Sequence, residues 1–171
     1  MKKLINIFTA FAILLIGAVS CQKEDVPAQK EENPTPNETV GGINSRLVGE
    51  WHLFKTLSDG IEVNQDIDVY LSINADCSFE LYQKSGTQSE RYFKYTGTCS
   101  SEDDILSGKY SDGMPWGAKY TFRFILGGML LESYNMIEIQ HYNKAAIPDE
   151  VKAEATLITT RSAVFSGTPI L

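Results

Sequence analysis

The chain has 171 residues, with 22 acidic against 15 basic side chains, and its formal charge of −7 repels phosphate backbones and anionic bilayers alike. That balance argues against nucleic acid as a partner. After the first 45 residues about 125 remain, enough for one core with a radius of gyration near 14 Å.

The sequence opens MKKLINIFTAFAILLIGAVSC: Lys2 and Lys3, an apolar run from Leu4 to Val19, then small residues before Cys21. A charged start, an apolar middle and a small-residue end have the form of a secretory signal over 1–20. The run is shorter than the roughly 20 residues of a membrane span, and Asn6 and Thr9 interrupt it. Ala18-Val19-Ser20-Cys21 resembles the bacterial lipobox. The resemblance implies that the Cys21 thiol is acylated and begins the mature chain, with a membrane as partner through that anchor. Two or three acyl chains hold stably where one binds marginally. Gln22-Lys23-Glu24-Asp25 is similar to the surface-export signal of Bacteroidetes lipoproteins, which implies an outer-membrane location facing the cell exterior. Loss of Lys2 and Lys3 with the leader takes the formal charge from −7 to −9.

Residues 21–45 read as the lipidated cysteine and a disordered tether. Pro27, Pro34, Pro36, many charges and no aromatic residue leave too little apolar surface to offset ordering entropy. A flexible segment of that length reaches roughly 25–30 Å. Asn37-Glu38-Thr39 matches a glycosylation sequon and is read as linker chemistry.

From 46 to 163 alternation dominates. One phase holds Leu47, Gly49, Trp51 and Leu53; the next run holds Ile67, Val69, Leu71 and Ile73; Phe79 and Leu81 continue it. Phe93 and Tyr95 follow, Ile105 begins another run, and Tyr120, Phe122, Phe124 and Leu126 form the next. Leu131, then Ile137 and Ile139, complete the series. Turn chemistry separates the runs at Ser58-Asp59-Gly60, Asn74-Ala75-Asp76, Ser85-Gly86-Thr87, Ser111-Asp112-Gly113 and Gly127-Gly128. The expected fold is all-β: an up-and-down antiparallel barrel of about eight strands, preferred over a sandwich because a barrel has no edges to protect. One short helix is expected over 147–155, with Pro148 in its first turn and Asp149 and Glu150 favouring its N-terminal dipole. Residues 164–171 read as a tail.

Gly49-Glu50-Trp51 on the first strand resembles the Gly-x-Trp signature of lipocalins. Leu106 to Gly113 with Trp116 and Tyr120, and then Ile147 to Val151, are similar to the lipocalin-like lipoproteins of Bacteroidetes. The similarity covers most of Leu47 to Ala155. It implies a barrel whose base Gly49 and Trp51 close, Trp51 packing on a late arginine for which Arg161 is the candidate. The Thr-Asp-Tyr motif of ligand-transporting lipocalins is absent.

With Cys21 taken by acylation, Cys77 and Cys99 are an even pair in an oxidising compartment. They flank one hairpin symmetrically, so they are expected opposite each other, within reach of a disulfide. The alternative is two buried, unpaired thiols. Catalytic motifs are scarce: there is no nucleophile elbow, zinc-protease helix, P-loop or dinucleotide fingerprint. His52 reads as surface, and His141 shares the phase of Ile137 and Ile139 near a strand end. Glu102-Asp103-Asp104 reads as a solvated turn rather than a calcium or glycosidase carboxylate set. No cofactor or metal is expected.

Aromatic side chains are the remaining signal. Tyr95, Trp116, Tyr120 and Phe122 are the candidate ligand contacts, with Met114-Pro115-Trp116-Gly117 as a mouth loop. Two readings stay open: a cavity that takes a small hydrophobic or amphipathic molecule, and a barrel that fills itself and serves as an interaction module of a surface complex for glycan uptake or adhesion. A hydrolase with an unrecognised site is the third.

Overall fold

The computed structural model describes residues 39–63, 67–85, 91–133, 137–159 and 169–171. Cys21, the tether up to residue 38 and Arg161 lie outside the described residues. In chain order the elements are β1 (Thr39–Val40), β2 (Ile43–Asn44), a 3-10 turn (Ser45–Leu47), β3 (Gly49–Ser58), β4 (Ile61–Val63) and β5 (Ile67–Ile73). There follow β6 (Ser78–Ser85), β7 (Phe93–Glu102), β8 (Ile105–Tyr110), β9 (Tyr120–Ile125) and β10 (Gly128–Ser133). Last come β11 (Glu138–Lys144), α1 (Asp149–Glu154) and β12 (Thr156–Leu157).

Eight antiparallel strands, β3 and β5 to β11, pair neighbour to neighbour, and β11 returns to β3 to close the barrel. The expected architecture is therefore present, with one short helix. Alternation produces it: Val69, Leu71 and Ile73 of β5 are wholly buried, while Asp68 and Tyr70, in the opposite phase, are part-exposed on the outer face. Directly paired residues share a face, so Leu71 meets Leu81 and Leu81 meets Tyr95 inside.

In three runs the phase differs from the expectation. In β8 the inward residue is Leu106, wholly buried, and Ile105 is exposed, because Leu106 pairs with the inward Tyr120. Leu126 does not continue β9 but stands fully exposed in the turn before β10. In β11 the inward residues are Gln140 and Tyr142, not Ile137 and Ile139. Gln140 pairs with Leu131 and Tyr142 with Met129, both inward residues of β10, and this pairing overrides the pattern of the strand by itself. His141 consequently faces outward with Ile139.

One end of the barrel, the base, is sealed by the segment that enters β3. Ile43 and Leu47 are wholly buried, and Trp51 donates from Nε1 to the Leu47 carbonyl at 2.9 Å. Asn44 donates its backbone N–H to Ser101 Oγ at 2.7 Å, and its side chain accepts from Arg46 N at 3.0 Å. The folded body thus begins before Arg46, since β1 and β2 give the base its buried Ile43 and Asn44.

The chain leaves β11 at this same base end, where Lys144 pairs with Trp51, and crosses the outer wall. Val151 of α1 and Ile147 pack on Tyr82, Tyr70 and Tyr92, covering the outside of β5 and β6. Glu50 holds this strap: its carboxylate accepts from Ile147 N and meets Lys152 Nζ, both at 2.8 Å. β12 then runs parallel to the start of β7, at Phe93 and Lys94.

Candidate functional site

The strand ends away from the base place four polar side chains inside the barrel, beside the buried Thr56, Ser133 and Tyr142: Gln83 of β6, Tyr110 of β8, Tyr120 of β9 and Gln140 of β11. All four are at least nine-tenths buried, and all four engage the backbone of one short segment, Pro169–Leu171, which lies within the mouth. Ile170 N donates to Gln83 Oε1 at 2.9 Å. The Ile170 carbonyl accepts from Gln140 Nε2 and from Tyr120 OH, each at 3.2 Å. Leu171 O accepts from Tyr110 OH at 2.6 Å, and the Leu171 side chain belongs to the central core.

Gln140 is held from both sides. Tyr142 OH donates to its Oε1 at 2.8 Å, and its Nε2 donates to the Glu138 carboxylate at 2.7 Å. The Ile170 carbonyl can only accept, so the amide has one permitted orientation, with its NH2 toward the mouth. Burial raises the Tyr120 and Tyr142 hydroxyls well above the ordinary tyrosine range, Glu138 adding to the rise at Tyr120 and Tyr120 and Glu138 adding to it at Tyr142. Both therefore remain protonated donors at neutral pH.

The sequence candidates divide. Tyr95, Trp116, Tyr120 and Phe122 all enter the same core, and of these Tyr120 touches the occupant of the mouth. Trp116 folds back instead of standing in a mouth loop: its ring lies on Gly108, where a Cβ would stand 2.3 Å from the indole. Only glycine admits that approach. The indole packs edge-on against Phe79 at 5.1 Å, and its buried Nε1 has no hydrogen-bond partner among the described residues. Tyr95 packs edge-on against Tyr110, and Phe122 against Phe124. Gly49 and Trp51 sit at the base, where the cation over the indole is Lys144, with Nζ 5.3 Å from the ring centre. Gln83 was visible in the sequence as a polar residue in phase with Phe79 and Leu81. Gln140 is concealed by the apolar Ile137 and Ile139 in the opposite phase, and Pro169–Leu171, expected as part of a tail, instead places Leu171 in the core and Ile170 against it.

Cys77 and Cys99 are opposite each other, as their spacing across the hairpin requires, and Cys99 N donates to Cys77 O at 2.8 Å. Both thiols are free. Cys77 has a left-handed backbone, φ 68°, and directs its Sγ to the Gly41 carbonyl at 2.9 Å. Burial, with smaller contributions from Cys77 and Asp76, pushes the Cys99 thiol up to about 12.

On the outer wall His52 Nε2 meets Asp68 Oδ1 at 2.7 Å and its ring stacks on Tyr70 at 4.4 Å, while Tyr92 OH donates to the other Asp68 oxygen. Burial and then the Asp68 carboxylate raise the Tyr70 and Tyr92 hydroxyls. His52 and Asp68 remain about two-fifths exposed, which suits a polar surface ladder. Burial, and then Lys55, lower the His141 imidazole. Glu102, Asp103 and Asp104 form an exposed turn. Among the described residues no group of three or more His, Cys, Asp or Glu side chains is placed to hold a metal ion. No helix among them is long and apolar enough to cross a membrane.

No protein family, curated protein or solved structure matches the chain.

Proposed function

We propose that the protein is a lipid-anchored, lipocalin-like lipoprotein of the outer-membrane surface whose barrel carries a small amphipathic molecule at its mouth. One observation supports the carrier role above the rest: four buried polar groups converge at the end of the barrel away from the sealed base and bind main-chain atoms of one segment that no strand pairing requires. A core built only for stability gains nothing from such groups, because burying them costs free energy unless each is satisfied. The chemistry is binding rather than turnover. The lipobox-like Ala18-Val19-Ser20-Cys21 and the acidic run after it support acylation at Cys21 and surface display.

Native mass spectrometry of the lipoprotein from the cells that make it tests the carrier reading. A retained mass of a few hundred daltons, released on denaturation, is the expected result. A bare mass in every preparation, together with no binding of a fluorescent acyl probe, overturns it. Palmitate labelling that survives Cys21→Ser overturns the anchor, and protection of the barrel from protease on intact cells overturns the surface location.

The occupied mouth favours a second reading, in which the filled barrel is an interaction module of a surface complex. Loss of a co-purifying partner on outer-wall substitutions such as Tyr70→Ala, with the mouth untouched, is the result that selects it.

A further inference from the structure

The polar groups at the mouth are matched to one kind of chemical unit. Gln83 Oε1 takes an N–H, Gln140 Nε2 and Tyr120 OH give to the carbonyl of the same residue, and Tyr110 OH gives to the main-chain oxygen of the next residue. An ionised fatty acid supplies oxygens to the three donors but no hydrogen to the Gln83 carbonyl, and the single hydroxyl of a sterol cannot serve all four groups. A peptide supplies both the oxygens and the N–H. The flanking space is apolar: Leu171 is 2 % exposed and lies in the central core, and Ile170 packs against that core. Most of the polar hold is on main-chain atoms, so a peptide of like shape from another chain makes the same bonds.

We propose that the mouth is a receptor for short apolar peptides, reading the N–H and the C=O of one branched residue and the oxygen of the next, and that Pro169–Leu171 is its displaceable intramolecular occupant. This rests on the carrier reading and names its ligand class. The resident segment holds the site shut because it is tethered: an attached ligand competes at an effective concentration on the order of millimolar. A free peptide enters when it exceeds that concentration or when the resident segment is withdrawn.

The test uses acetyl-Pro-Ile-Leu as peptide and dodecanoate as an amide-free competitor of similar length, with calorimetry as the readout. The variant lacking Pro169–Leu171, with its fold checked by circular dichroism, is expected to bind the peptide at least about tenfold more tightly than the intact chain. Gln83→Leu in that variant is expected to weaken the peptide by about tenfold, roughly 1.4 kcal/mol, and to leave dodecanoate unchanged. Binding of dodecanoate without the peptide overturns this inference and leaves the carrier reading standing. Binding of neither by a folded variant overturns both. The intact chain is measured as well, by following the Leu171 methyl resonances during titration with the peptide, and these are expected to move to free-chain positions at millimolar concentrations. If the shortened variant does not fold and those resonances stay in place, the segment is a fixed part of the core and the inference is overturned.

Discussion

The two ends of this barrel are closed by different physics. The base is closed mainly by the segment that enters β3, with Trp51 reaching the Leu47 carbonyl four residues away over a floor of Ile43 and Leu47, and Asn44 tying that segment across to Ser101. The mouth is closed at long range, since Ile170 meets Gln83 across 87 positions and Leu171 meets Tyr110 across 61. Apolar burial dominates the first and directional hydrogen bonds the second. Apolar burial gains with area and is indifferent to exchange of partners. A ring of buried donors and acceptors instead demands one matching occupant, because each group left unpaired is costly. A permanent floor and a selective opening follow from that contrast.

The contrast is broken most sharply at the base. Trp51→Ala is expected to cost about 3–5 kcal/mol by chemical denaturation, the usual range for emptying a large aromatic site. A cost under about 1 kcal/mol would show that the floor contributes little to the fold.

Next in size is the cysteine pair, which sits at the base end, where Cys77 already touches Gly41. In an oxidising compartment Cys77 and Cys99 are expected to join, forming one S–S bond and passing two protons and two electrons to a thiol–disulfide oxidant. Cys77 is the more exposed thiol and reacts first, because burial holds Cys99 protonated with its pKa near about 12. The bond is expected to add roughly 3 kcal/mol relative to the reduced chain. A thiol count on unreduced, denatured Cys21→Ser protein checks it, and two reactive thiols exclude the bond.

At the mouth, Gln140→Leu removes the acceptor of the fully buried Tyr142 hydroxyl and one donor to Ile170. The expected loss is about 1–3 kcal/mol, smaller than at the base, because volume is kept and only pairing is lost. A loss equal to that of Trp51→Ala would mean that the mouth is as much a structural element as the floor.

The smallest effect lies on the outer strap. Burial acts to raise the Glu50 carboxyl, but Lys152 and the Ile147 N–H outweigh it and hold it below its ordinary value of 4.5. A depressed folded pKa contributes stability that is complete above the unfolded value and is lost as pH falls through the folded one. The melting temperature of the wild type should therefore approach that of Glu50→Gln as pH is lowered from about 7 to about 3. A constant difference between the two would detach the strap from Glu50.

Legibility in the sequence follows the same division. Apolar phase within its own strand marks Trp51 as inward-facing, and the resemblance to the Gly-x-Trp signature is what implies its place at the base. The hairpin symmetry of Cys77 and Cys99 placed them opposite each other because a short loop sets the register. Tyr120 was a candidate from its aromatic character, and Gln83 stands in phase with Phe79 and Leu81, a polar residue where the period demands an apolar one. The run around Gln140 misled because Ile137 and Ile139 are apolar on what proved to be the outer face. Trp116 misled in the other direction, since an aromatic in a Pro-Gly loop reads as exposed until Gly108 is seen to leave room for it.

By itself the sequence determined the period of the strands, the turns between them and the count that closes a barrel, all of which depend on contacts a few residues apart. Tertiary structure alone decided which face of β11 turned inward and what filled the mouth. Those choices depend on the burial of polar groups, and a glutamine inside a barrel is tolerable only when tyrosines, a glutamate and a peptide from elsewhere in the chain arrive to satisfy it.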